Sequence, residues 1–131
     1  MRTYKACREL SASPRWQKLA AHGASPQRLL WGSTGTKDPA APDGLYVEAL
    51  AAPHTINTMP EKTLLAFADH GEVKGVMPID GGDAEAVLAE FAAAGVDDDT
   101  LAADLQREGT AAFIKSWKAL MLRIASKRGL P

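Results

Sequence analysis

The N-terminal part of the chain has apolar residues at helical spacing. This pattern predicts helix over residues 3 to 21, in one or two pieces, and its apolar positions are Tyr4, Cys7, Leu10, Trp16, Leu19 and Ala20. Ser13 and Pro14 are suited to be the N-cap and first position of a second helix. Gly23 then ends the helical segment.

A short apolar run follows this helical segment. It covers Leu29 to Gly32 and lies between Pro26 and a cluster of Gly, Ser and Thr residues. Such a run favours a strand buried on both faces over another helical turn. Further along, Asp43 is placed to cap a helix over roughly residues 44 to 52.

The next segment repeats this order of a strand followed by a helix. The β-branched residues Thr55 and Ile56 predict a second strand, and Thr58 to Glu61 form a T-x-x-E capping box. The box predicts a helix over about residues 59 to 70, which Gly71 closes. The order helix, strand, helix, strand, helix is that of a parallel α/β protein.

Beyond Gly71 the pattern is all helical. We expect one helix from Asp83 to Gly95 and a second from about Asp98 to Gly109. A last helix carries an apolar stripe made of Phe113, Ile114, Trp117, Leu120, Met121 and Ile124. We interpret it as a docking helix, with a membrane-surface helix as the minority alternative.

Composition narrows the class of protein. Hydrophobic residues make up 46% of the 131 positions and charged residues 24%, which is typical of one soluble globular domain. A formal net charge of -1 does not favour nucleic acid or an anionic membrane as a partner. Cys7 is the single cysteine, and the chain has neither a signal-peptide pattern nor a long apolar run. We therefore expect a cytoplasmic protein.

The loop after the first strand has the composition of an anion site. GSTGTK differs from a nucleotide-binding P-loop because Lys37 is followed by Asp and Pro and not by a helix. Ser33, Thr34 and Lys37 nevertheless follow a strand, at the end where parallel α/β proteins bind ligands. A solvated turn is the alternative. Asn57, at the end of the second strand, is the other residue expected to face a substrate.

Other chemistry is poorly supported. His22, His54 and His70 lack the spacing of a helical metal pair, so we predict no metal and surface or loop positions for all three. The acidic run over residues 97 to 99 is better explained by helix capping than by a calcium loop. Lys37 lies in a polar loop, where its ammonium should stay charged and bind phosphate, and not act as a nucleophile.

Two longer runs resemble a known family. QRLLWGSTGTKDPAAPDGLYVEALAAPHTINTMPEKTLLAFADHG resembles the last two strand-and-helix units of bacterial transaldolases. GVDDDTLAADLQREGTAAFIKSWKALM resembles the C-terminal helices of that family. The similarity spans essentially all 131 residues, and LLW-x-STGTKDP together with NTMPEKT makes it specific.

The resemblance implies a partial (α/β)8 TIM barrel, with Leu29 to Ser33 as strand seven, Thr55 to Thr58 as strand eight, and C-terminal helices. The family transfers a dihydroxyacetone unit between sugar phosphates of the pentose phosphate pathway, through a lysine Schiff base and without a cofactor. Ser33 matches the family serine that contacts the substrate phosphate, and Lys37 lies where a basic phosphate partner belongs. Gly32 replaces the usual alanine, which only loosens the backbone.

The resemblance assigns no catalytic residue to this chain. A complete barrel takes about 250 residues, and the family's Schiff-base lysine, acid/base carboxylates and a further phosphate-binding arginine belong to earlier strands. The leading hypothesis is a C-terminal transaldolase segment, one partial domain over residues 1–131, that supplies part of the phosphate site and is inactive alone.

The alternative hypothesis is a noncatalytic sugar-phosphate-binding or assembly module derived from a transaldolase. A third is complementation by a separate N-terminal piece of the barrel. The expected ligand in each case is a sugar phosphate or inorganic phosphate. Two parallel strands cannot protect both edges and both faces of a sheet, so we expect the missing barrel half or self-association to cover them, or else a loosely packed monomer.

Overall fold

The computed structural model describes residues 1–129 and contains two compact units, Met1–Glu85 and the residues from Ala86 onward. The elements of the first unit are α1 (Arg2–Ala12), α2 (Pro14–Ala21), β1 (Leu29–Trp31), α3 (Leu45–Ala49), β2 (Thr55–Asn57) and α4 (Glu61–His70). Helix α5 (Ala84–Ala93) begins where this unit ends, and α6 (Asp98–Lys127) belongs to the second unit.

The two strands pair in parallel, as the order of elements predicts. Leu30 lies opposite Ile56 in the register of the ladder. The expected burial of β1 on both faces is wrong for this chain, because the side chain of Leu30 is 52% exposed. The physical reason is that a parallel strand needs neighbours and covering layers on both sides, whereas the sheet described in residues 1–129 contains only β1 and β2.

The predicted restart between the first two helices is confirmed. The Ser13 side chain accepts a hydrogen bond from the backbone N–H of Trp16 at 3.3 Å, and Pro14 is the first residue of α2. The cap satisfies an N–H group that has no partner inside the helix. The chain therefore changes direction at Ser13 without leaving helical structure for more than one residue.

The predicted cap of α3 is wrong. The helix is shorter than expected, and its N-cap is Gly44, which offers no side chain. Asp43 instead accepts a hydrogen bond from Nε2 of His70, at 2.9 Å. A charged partner at the end of α4 therefore competes successfully with a backbone N–H of α3 for this carboxylate.

The predicted capping box of α4 is also wrong. The N-cap is Pro60, and no side chain bonds to the first turn there. Thr58 instead donates from its hydroxyl to the carbonyl oxygen of Trp31 at 3.0 Å. The helix itself matches the predicted segment and closes at Gly71 as expected.

The two helices predicted around Gly109 form one continuous helix, α6, of 30 residues. Gly109 does not break it, because a glycine inside a helix costs only about 1 kcal/mol and the segment contains no proline. The predicted capping role of the acidic run is confirmed for Asp97, whose carboxylate accepts from the Thr100 N–H at 2.7 Å. That bond lowers the pKa of Asp97.

The apolar stripe of α6 is exposed. Its six side chains have relative exposures from 39% at Ile124 to 80% at Phe113. No helix in residues 1–129 is both long enough and apolar enough to cross a membrane. The docking role predicted for this helix stays a prediction, because the structure contains no ligand or partner chain.

The buried apolar core is small. Only Tyr4, Val47 and Met77 are buried hydrophobic residues among those described, with exposures of 3% to 7%. Two hydrogen bonds from these residues join segments that are far apart in the sequence. The Tyr4 hydroxyl donates to the carbonyl oxygen of Pro53 at 3.3 Å, and the Met77 N–H donates to that of Ala51 at 2.8 Å.

Two glycines provide a matched test of the helical assignments. A methyl group added at Gly109 or at Gly95 would meet no atom within 4 Å, but only Gly95 has a positive φ, of 87°. We expect Gly109→Ala to stabilise the protein by about 0.5 to 1 kcal/mol through helix propensity. Gly95→Ala should destabilise it by about 1 kcal/mol because an L-residue is strained there. Urea unfolding followed by circular dichroism measures both; equal effects would contradict the continuous helix.

Candidate functional site

The carboxyl ends of β1 and β2 are joined by a group of short hydrogen bonds. The backbone N–H of Ser33 donates to the hydroxyl of Thr58, and that of Thr34 donates to the carbonyl oxygen of Thr58, both at 3.0 Å. Thr58 in turn donates its N–H and its hydroxyl to the carbonyl oxygen of Trp31, each at 3.0 Å. The first residues of the two loops are therefore held side by side.

Thr34 is the buried centre of this junction. It is 5% exposed, and its hydroxyl lies 2.6 Å from Oδ1 of Asn57 and 3.1 Å from the carbonyl oxygen of Thr58. A hydroxyl in this position fixes the Asn57 side chain beside the loop that follows β1. The hydroxyl and the N–H of Thr34 are both used within the protein, so a role in anion binding stays a prediction for this residue.

Ser33 faces solvent next to this buried junction. Its side chain is exposed, and its hydroxyl has no hydrogen-bond partner among residues 1–129. Its φ is 53°, and only one other non-glycine residue in the described part of the chain has a positive φ. Such a conformation costs of the order of 1 kcal/mol or more. The paired neighbours maintain it, and they leave the Ser33 hydroxyl free to bind.

Lys37 lies in a separate concavity of about 520 Å³. Asp43, Lys62 and Thr63 are among the residues that line it, whereas Ser33 and Thr34 are not. Thr63 is 7% exposed. The structure thus brings Ser33, Thr34 and Asn57 together at the strand ends. It places Lys37 in the separate concavity, together with Lys62 from the first turn of α4.

Asp43, which lines this concavity, pairs with His70. His70 donates from Nε2 to Asp43 at 2.9 Å and from Nδ1 to Asp69 at 3.2 Å, which requires the doubly protonated imidazole. The hydrogen bond to Asp43, and then the one to Asp69, raises the pKa of His70 above its ordinary 6.5. The bond from His70 likewise lowers the pKa of Asp43.

Sequence reasoning missed two residues of this region. Thr58, for which the sequence predicts a capping role, connects the two strands, and its position directly after a predicted parallel strand is the signal for this role. Lys62 is absent from the predicted anion site. Its position in the first turn of a helix that follows a strand is the available signal, because such a residue lies near the ligand-binding edge.

The histidines take exposed positions, as predicted. His22 lies at the end of α2, with Nδ1 2.7 Å from the carbonyl oxygen of Lys18, and His54 lies in the loop before β2. Within residues 1–129, no three His, Cys, Asp or Glu side chains are grouped so that they could hold a metal ion.

Parallel α/β proteins bind their ligands at the carboxyl edge of the sheet, which is where the structure places Ser33, Thr34 and Asn57. Residues 1–124 match the family model described as Transaldolase/Fructose-6-phosphate aldolase. The chain belongs to this family, and the resemblance inferred from its motifs is confirmed.

Curated relatives agree with this assignment. The chain is 51% identical over 128 residues to the transaldolase of Frankia alni, an alignment that covers 96% of this chain and 34% of the relative. The transaldolase of Acidothermus cellulolyticus is 52% identical over 119 residues, with coverages of 89% and 32%. That of Neisseria meningitidis serogroup A is 44% identical over 118 residues, with coverages of 90% and 34%. The chain thus spans about one third of the length of these relatives and matches their C-terminal part.

Removal of the buried hydroxyl tests the junction. We expect Thr34→Val to lower the free energy of unfolding by about 1 to 3 kcal/mol, because it deprives Asn57 and Thr58 of a buried partner without changing the side-chain shape. Thr3→Val, at an exposed helical position, should change it by less than about 0.5 kcal/mol. Chemical denaturation measures both. Equal stabilities for the two variants would contradict the proposed role of the junction.

The His70 pair predicts a pH dependence. Because the folded pKa of His70 is raised, the stabilisation it provides is fully present below pH 6.5 and is lost as the pH rises through the folded pKa. Asp43→Asn removes the largest cause and should lower that pKa more than Asp69→Asn does. NMR titration of the His70 ring protons measures the shift; a larger effect of Asp69→Asn would contradict the geometry.

Proposed function

We propose that this chain is the C-terminal segment of a transaldolase and forms the last two strand-and-helix units of a TIM barrel. In this proposal it supplies part of the site that binds the phosphate of a sugar phosphate in the pentose phosphate pathway. The observation that carries the proposal is the family match over residues 1–124, which includes the loop with Ser33 at the carboxyl end of β1. Phosphate sites of TIM barrels lie in this region, after strands seven and eight.

The conformation of Ser33 supports a binding role. A strained residue persists only where its surroundings maintain it, and such residues occur frequently at ligand sites. The Ser33 hydroxyl is exposed and unpaired within residues 1–129, so it can donate to a phosphate oxygen without breaking a bond in the protein. Lys37 and Lys62 add positive charge in the neighbouring concavity, which the loop after β1 and the first turn of α4 line.

The chain does not supply the Schiff-base lysine under this proposal. Lys37 is exposed, and it shares its concavity with the carboxylate of Asp43. An amine activated for attack on a carbonyl needs a desolvated site or neighbouring cations in a dry pocket. The solvated Lys37 ammonium suits electrostatic binding of an anion better than nucleophilic attack.

The open sheet supports a requirement for the rest of the barrel, or for a second copy, as partner. Leu30 and Ile56 are paired in register and are 52% and 37% exposed. The indole N–H of Trp31 is buried and has no acceptor within residues 1–129. Further strands would cover the apolar side chains and provide acceptors. A cytoplasmic location is part of the proposal, because an unpaired cysteine, Cys7, suits a reducing compartment.

A noncatalytic sugar-phosphate-binding module is the second candidate. It is supported by the presence of the Ser33 loop in the chain, together with the implication of the resemblance that no lysine here serves as the family nucleophile. The two candidates agree on phosphate binding. They differ in whether activity appears when the N-terminal part of a transaldolase, such as that of Frankia alni, is added.

Phosphate binding tests the proposed site. Inorganic phosphate and fructose 6-phosphate should shift the amide NMR signals of Ser33 and its neighbours. Ser33→Ala should weaken this binding by about 1.5 to 3 kcal/mol, which corresponds to roughly 10- to 100-fold, because it removes a hydrogen bond to a charged group. Ser116→Ala, at an exposed position on α6, is the matched control. Unchanged affinity in Ser33→Ala would contradict the assignment.

Borohydride trapping tests the missing nucleophile in the same preparation. With fructose 6-phosphate and erythrose 4-phosphate, the chain alone should show no transfer activity and no reduced adduct in its intact mass. An adduct on any of its lysines would show that the nucleophile lies in this chain and would overturn this part of the proposal.

A further inference from the structure

A second concavity, of about 390 Å³, lies at the amino ends of the strands. It is bounded by α1, α2 and the two loops that enter the sheet, and its lining includes Tyr4, Arg8, Arg28, Leu29, His54 and Thr55. Leu29 and Thr55 are the first residues of β1 and β2. The concavity is therefore at the opposite end of the sheet from Ser33, and it is independent of the proposed phosphate site.

The lining of this pocket is cationic. It contains two arginines and a histidine, and no Asp or Glu. These three side chains have no hydrogen-bond or ion-pair partner among residues 1–129; they are Arg8, Arg28 and His54. By contrast, the neighbouring Tyr4 hydroxyl is bonded to Pro53. Arg28 and His54 are exposed, so water solvates them without a ligand, and an anion bound here would replace that water.

Arg8 is the half-buried cation of this pocket. Its Nε is buried and lacks an acceptor in the part of the chain that the structure describes. A guanidinium recognises carboxylate or phosphate through paired N–H groups, so an oxyanion toward which the Arg8 side chain turned would supply the acceptor that Nε lacks.

His54 adds an independent observation. It is the second non-glycine residue with a positive φ, of 61°, and it lies directly before β2. Non-glycine residues are uncommon in this conformation, although His is among those that adopt it more often, and such residues occur frequently at ligand sites. Glycine would adopt the same backbone without strain, yet this position has an imidazole that lines the pocket beside the two arginines.

We propose that this pocket binds a small oxyanion through Arg8, Arg28 and His54. The anion bears phosphate or carboxylate groups and bridges α1 to the loops that precede the two strands. Its role is to stabilise this end of the fold, because the amino-terminal face of such a sheet is distant from the ligand-binding edge. Inorganic phosphate and citrate serve as probes, and their relative affinities separate the two sources of the oxyanion chemistry.

The single cysteine provides a reporter for this pocket. Cys7 is half-buried and is among the lining residues, so a bound anion should slow its alkylation by iodoacetamide, a neutral reagent. The experiment uses the Ser33→Ala protein, in which the other proposed phosphate site is removed. Phosphate or citrate should slow the reaction in a saturable manner, whereas chloride at equal ionic strength should not. Chemical shifts of the Arg8 Nε–H should follow the same concentration dependence.

Three variants decide the outcome. Arg8→Gln and Arg28→Gln should each weaken protection by about tenfold or more, while Arg15→Gln, on α2 and outside the pocket lining, should leave it within about twofold. His54→Gly should raise the melting temperature without ligand, because it relieves the positive φ, and yet weaken anion protection. Absence of protection by either probe at tens of millimolar, or equal protection in the Arg8, Arg28 and Arg15 variants, would overturn the proposal.

Discussion

The three-residue parallel ladder between β1 and β2 is the interaction on which the first unit depends. A ladder this short has few backbone bonds, and the Thr34 and Thr58 bonds extend it past the strand ends. They fix the starting directions of the two following loops. The loop between Thr34 and Asp43 lies outside helices and strands, so the position of its first residues depends on this extension.

The junction separates supporting residues from exposed ones. Thr34 is buried and fully used within the protein, whereas Ser33, its direct neighbour, is exposed and has a strained backbone. A buried polar group with all its bonds made rigidifies its surroundings, and the adjacent residue can then hold an unfavourable conformation. This arrangement presents a free hydroxyl at a defined position, which is what binding of a small anion requires.

The two residues with positive φ outside glycine lie at opposite ends of the sheet. Ser33 follows β1, and His54 precedes β2. One lies beside a hydroxyl-rich loop and the other beside two unpaired arginines. The exposed apolar side chains Leu30 and Ile56 lie between these ends. The sheet therefore has a defined group of polar residues at each end, but its apolar faces are not covered. The chain matches about one third of the length of its relatives.

The order of elements, the parallel pairing, the caps at Ser13 and Asp97 and the family could all be predicted from the sequence, because they depend on short spacings or on motifs that are read directly. The predicted anion site consists of Ser33, Thr34 and Lys37, with Asn57 facing the substrate. Folding brings Thr34 and Asn57 together beside Ser33, but it places Lys37 in a separate concavity. The partners of Asp43 and Thr58 also follow from folding, because each bonds to a residue 27 positions away. A nearby backbone N–H and a distant partner can both bond to the same side-chain oxygen. Which bond forms depends on tertiary packing, and this packing cannot be read from residue spacing. The grouping of Arg8 with His54 also depends on tertiary packing, because residues that line one pocket are brought together only when the chain folds.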